Sequence, residues 1–175
     1  MEAATAFTIH GAAGIAMGVV GLSATLLSVI PALAVHWLSI WLVAAIIAAV
    51  VGGMLVIRPA SLQRLALSCT PIRKFAICLA APLFVGAVLT AVLSTREALD
   101  VIPGTWLLLY GCALIAASVT TTRTIGVMGA SFMVLGLFAF LVPMKFQILA
   151  LGTGFGGLHM LFGWWISRES HERQI

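Results

Sequence analysis

The sequence predicts an all-α membrane protein, a bundle of six transmembrane helices with no soluble domain. Three observations predict it. Of the 175 residues 62% are hydrophobic and only 8% charged. Mean hydropathy is +1.20, which leaves no polar remainder for a water-facing domain. Apolar runs of about 20 residues recur along the chain, the length a helix needs to cross the roughly 30 Å hydrocarbon core. A bilayer offers no water to an unpaired peptide group, and the runs show no strict alternation, so helices are expected rather than barrel strands.

The expected spans are Phe7–Ser28, Trp37–Ile57, Phe75–Ser94, Thr105–Thr121, Thr124–Leu141 and Phe146–Ile166. The first is read as a retained helix although Ala32-Leu33-Ala34 resembles a cleavage site. Only Glu2 precedes the run, where a signal peptide carries positive charge, and the apolar stretch is too long. Pro82 falls near the middle of the third span and removes the bond its N–H would give to the Cys78 carbonyl. Arg58 to Lys74, closed by Pro71, reads as a loop with one short helix on the inner surface, and Thr95 to Gly104 as a polar turn. Ser118 to Thr124 forms a polar knot, read as a tight turn whose Arg123 reaches headgroups.

Basic residues are retained on the cytoplasmic side of short loops. With the N-terminus inside, Arg58, Arg64, Arg73, Lys74, Arg123, Arg168 and Arg173 lie inside, and only Arg96 and Lys145 outside. Both termini are therefore expected in the cytoplasm of a multi-pass inner (plasma) membrane protein. Trp37, Trp41 and Trp106 then fall at outer ends and Trp164 and Trp165 at an inner end, the headgroup level that indoles prefer. The net charge of +4 is spread between apolar runs, so the partner is the lipid bilayer rather than nucleic acid.

Glycine placement is the richest signal within the spans. Gly11, Gly14, Gly18 and Gly21 share one face of the first helix, and Gly152, Gly156 and Gly163 one face of the last. Small residues let helices approach closely where lipid gives no hydrophobic drive, so Gly14, Gly18, Gly21 and Gly163 are expected to pack against neighbours. His10 and His159 lie on these faces. Ionisable groups inside a membrane mark functional sites by default. Three fates are open to the pair: an interhelical hydrogen bond, a proton or ion relay, or axial ligation of haem b.

Four glycines in the six residues Gly152-Thr153-Gly154-Phe155-Gly156-Gly157 weaken the last helix near its middle. Pro82 stands at the matching place if the chain forms two three-helix halves, the pattern that points to a midplane site in transporters. His159, His10, Gly152, Thr153, Gly156 and Gly157 are accordingly the expected lining residues.

No enzyme is expected. Glu2, Glu97, Asp100, Glu169 and Glu172 all fall in termini or loops, so no membrane acid can orient a serine nucleophile, and Tyr110 and Cys112 read as packing residues. Cys69, Cys78 and Cys112 form no disulfide framework, and without a Cys-x-x-Cys or His-Glu-x-x-His pair no metal site is expected. The sequence leads to passage or binding of a small solute or ion within the bundle. The alternatives are an accessory subunit of a larger membrane complex, or a homo-oligomer, packed through its glycine faces, and a haem b protein ligated by His10 and His159.

Overall fold

The computed structural model describes residues 2–62 and 70–172, with side chains for residues 11–55 and 73–169. The helices are α1 (Glu2–Val29), α2 (Trp37–Leu62), α3 (Thr70–Thr95), α4 (Ile102–Ser118), α5 (Arg123–Ala139), α6 (Met144–Leu151) and α7 (His159–Glu172). A π-helical turn, Gly152–Leu158, joins α6 to α7, so the three form one continuous last helix. The described residues thus contain six long helical elements and no strand. Five stretches are long and apolar enough to cross a membrane: Gly11–Val29, Ala34–Leu55, Arg73–Thr95, Leu99–Ser118 and Met144–Glu169. Arg123–Ala139 is apolar but shorter.

Local chemistry sets the ends. α4 starts three residues earlier than expected because Pro103 occupies its first turn, where a missing N–H costs nothing. It also stops earlier. The Thr120 and Thr121 hydroxyls donate to the Ala117 carbonyl at 3.1 and 3.0 Å, and Ser118 Oγ donates to Ile115 O at 2.7 Å. These three hydroxyls of the polar knot are engaged with the backbone in this way, and Arg123 is exposed. The polar turn after α3 contains Glu97 in the left-handed region, at φ 57°. α2 extends to Leu62 and α3 begins at Thr70, so helix takes up much of the expected inner loop; the remainder, 63–69, lies outside the described residues.

The chain divides into two compact units, residues 1–66 with 155–175 and residues 67–154. This division does not follow helices one to three and four to six, the halves the sequence allowed. The first unit holds α1, α2 and α7; α1 packs on both α2 and α7. Its interior includes Ala13, Ala24, Trp37, Trp41, Ala44, Phe162 and Ile166. Trp37 and Trp41 are packed inside it, whereas Trp164 and Trp165 are about half exposed.

The second unit holds α3 to α6, with α4 at its centre against α3, α5 and α6. Ile102, Leu107, Ala113, Phe132, Ala139 and Leu151 are fully buried there. Tyr110 meets Phe132 edge-on, centroids 4.9 Å apart, an arrangement the ring quadrupoles favour. Trp106 Nε1 donates to Thr90 Oγ1 at 2.8 Å, and Thr90 Oγ1 donates in turn to the Gly86 carbonyl at 2.7 Å, which ties α3 to α4.

Candidate functional site

Within the first unit, glycine brings α1 and the last helix into backbone contact. A Cβ placed on Gly21 would lie 2.6 Å from the carbonyl carbon and oxygen of Phe155. One on Gly18 would meet Gly156 O at 2.9 Å, and one on Gly14 the Gly163 Cα at 3.1 Å and His159 O at 3.3 Å. One on Gly11 would meet Gly163 O at 2.7 Å and Ser167 N at 2.9 Å. Rising numbers on one helix meet falling numbers on the other, so the helices are antiparallel. From the last helix, Gly163 faces Gly11 O and Ile15 N, both at 2.8 Å, and Gly156 faces Leu22.

The same geometry holds α4 to α5 in the second unit. A Cβ on Gly111 would stand 2.7 Å from Gly129 O, one on Gly129 2.7 Å from Gly111 O, and one on Gly136 3.1 Å from Gly104 O. These four glycines are absent from the sequence-based candidates. Their signal was present, because Gly104 and Gly111, like Gly129 and Gly136, are seven residues apart and so lie on one helix face.

His159 begins α7 and is only 3% exposed. Its ring stacks on Phe155 one turn earlier, centroids 6.1 Å apart and planes 19° apart, and Phe155 leans on Trp41 of α2 at 6.0 Å. Trp41 is also 3% exposed, and its Nε1 has no hydrogen-bond partner among the described residues. The core of the site is thus an imidazole, a phenyl and an indole in series. By its place in the sequence Trp41 belongs at the headgroups, which is why it is missing from the expected lining residues.

The glycine-rich run is helical, wound with i→i+5 bonds rather than unwound. Such turns are rare and recur at functional sites. Here the extra residue per turn sits where consecutive residues have different surroundings. A Cβ on Gly154 would meet Leu107, Phe132 and Leu135 of the second unit at 2.6, 3.1 and 3.2 Å, whereas Phe155 and Gly156 lie against Gly21 and Leu22 of the first. Of the other expected lining residues, Gly152 is buried, Thr153 is exposed and donates its hydroxyl to Leu149 O at 2.9 Å, and Gly157 has nothing within 4 Å of a Cβ.

The side chain of His10 lies outside the described residues. Its chain neighbour Gly11 is level with Gly163 and Ser167. Ser167 is eight residues from His159, or about 12 Å along a helix. The register therefore does not bring the His10 and His159 backbones to one level. Axial ligands of one haem need nearly the same level, which this register does not give the pair. Among the described residues no group of three or more His, Cys, Asp or Glu side chains could hold a metal ion.

No family model, no curated protein and no solved structure matches the chain.

Proposed function

We propose that this is a six-span integral membrane protein that binds or passes a small solute or ion at the π-turn of its last helix. The observation that carries the reading is a seven-residue π-turn leading directly into a histidine 3% exposed. In an apolar helix that combination is unfavourable unless it is used. Glycine gives up helix stability, π winding is uncommon, and a buried imidazole must be kept from lipid.

Membrane insertion is supported by the five long apolar stretches and by the ends of the last one. Lys145 lies over the Phe146 ring at 5.0 Å near one end, and Arg168 over Trp164 at 5.2 Å near the other. Cation and aromatic together suit the interfacial level at which such side chains settle. Exposed Ile46, Val50, Phe84 and Val88 would then face acyl chains.

The accessory-subunit alternative relied on glycine faces free to receive an outside partner. Gly14, Gly18, Gly21 and Gly163 are instead engaged within their own unit, which favours the solute reading. Haem is not carried forward, because the register of the two histidines does not suit a shared macrocycle.

The test is flux in proteoliposomes, read by light scattering for glycerol and urea and by an internal pH dye for ammonium. Passage of at least one probe about tenfold above empty vesicles is expected, with a comparable loss in His159→Ala. Rates equal to empty vesicles for all three probes, or full flux in His159→Ala, overturn it.

A further inference from the structure

Two indoles of this chain are held in different ways. That of Trp106 donates to Thr90 Oγ1 at 2.8 Å, as an indole packed among helices is expected to. That of Trp41, in the first unit, is closed to solvent, and its Nε1 has no acceptor among the described residues. Other polar side chains of the unit are not left in this state. Ser23, Thr25 and Ser28 of α1 and Ser167 of α7 each donate to a carbonyl of their own helix. The Phe155 ring beside Trp41 offers its N–H at most a weak contact with a π face. A buried donor without an acceptor is a standing cost, and an acceptor brought to it recovers that cost.

Chemistry limits what can be brought. An indole N–H donates and never accepts, so a cation such as ammonium gains nothing from it. Among the described side chains of the unit the one carboxylate is Glu169, ten residues beyond His159, or about 15 Å along a helix. An anion would carry a full charge in among the Trp41 and Phe155 rings, at a high desolvation cost. An uncharged molecule with a strong acceptor oxygen meets neither objection. The rings suit a flat one, since Phe155 and His159 lie 19° from parallel. Phe155 is also only partly buried, unlike Trp41 and His159, and a ring open on one side changes rotamer more readily than a packed one.

We infer that Trp41 is the specificity-determining residue of this site, and that it selects a small uncharged carbonyl compound of the urea class, whose oxygen accepts from Trp41 Nε1 once the Phe155 ring turns aside. The inference rests on reading the π-turn and His159 as a solute site, and it adds the class of solute and the atom that recognises it.

The experiment is a titration of the full chain in lipid nanodiscs, with its five tryptophans labelled with nitrogen-15 at the indole and each N–H read as one magnetic resonance signal. The Trp41 signal is identified by its loss in Trp41→Phe. Urea, kept below about 0.2 M so that it does not denature, should move the Trp41 signal downfield and saturably, while Trp106, already bonded to Thr90, stays in place. Thiourea has nearly the same shape but a weak sulfur acceptor, and should need a concentration at least about fivefold higher, the worth of one neutral hydrogen bond. Ammonium should move nothing. No saturable shift in any of the five signals overturns the inference whether or not the variant folds. So does a shift that spares Trp41, or one that thiourea or ammonium matches. A Trp41 shift without flux in proteoliposomes would remove passage and keep the recognition, and flux without the shift would do the reverse.

Discussion

At the scale of single residues, the glycines differ from one another in what surrounds them, and that decides the effect of substituting each. At Gly21 a methyl group would meet backbone atoms at 2.6 Å, which no rotamer change can clear. The helices must part along their length. Overpacking of this kind typically costs about 1–3 kcal/mol, so Gly21→Ala should lower the unfolding midpoint in mild detergent. Gly53 has nothing within 4 Å of a Cβ, and Gly53→Ala should be neutral or stabilise by up to about 1 kcal/mol through helix propensity. Equal effects of the two substitutions would remove the case for packing. Spacing in the sequence was enough to put Gly11, Gly14, Gly18 and Gly21 on one face. It gave no means of telling Gly156, covered by Leu22, from its neighbour Gly157, which has open space, since that depends on which helix lies alongside.

Among the helices, α3 and the last one respond differently to a residue that disfavours α winding. α3 remains α-helical through Pro82 from Thr70 to Thr95 and absorbs the missing N–H in place. The glycine run changes winding over seven residues. The two positions that looked equivalent in sequence are therefore not equivalent in structure. Proline removes one bond and leaves the register alone, whereas a π-turn alters the register of every later residue in the helix. Pro82→Ala should then act locally, returning an N–H to the Cys78 carbonyl and raising stability by about 1 kcal/mol in the same detergent assay. A loss of stability instead would mean that α3 needs its proline for packing. Helix number and approximate position were legible because apolar length is a property of the local chain. The π winding was not, because glycine permits several backbone forms and the choice is made by Leu107, Phe132 and Leu135 on one side and the α1 backbone on the other.

For the whole molecule, the decisive relation is that α1 runs antiparallel to the last helix, with Gly11 level with Ser167 and Gly21 level with Phe155. The start of α1 and the end of α7 therefore lie at the same end of the first unit. If the chain is inserted as proposed, this pairing would put the start of α1 and the end of α7 on one side of the bilayer. The charge bias is the basis for expecting that side to be the cytoplasmic one. Arg168 and Arg173 follow the last span, and Arg58, Arg64, Arg73 and Lys74 cluster between the second and third, whereas the opposite loops carry only Arg96 and Lys145. Single cysteines placed next to Met1 and next to Ile175 in a cysteine-free background should both resist a membrane-impermeant maleimide in intact cells and react after permeabilisation. A cysteine at Glu97, in the turn between α3 and α4, should react in intact cells. Labelling of one terminus but not the other would break the antiparallel pairing itself. Labelling of both termini with protection of Glu97→Cys would keep the fold and reverse its orientation, because the packing of glycine on glycine fixes which ends lie together and only the basic residues fix which side they face.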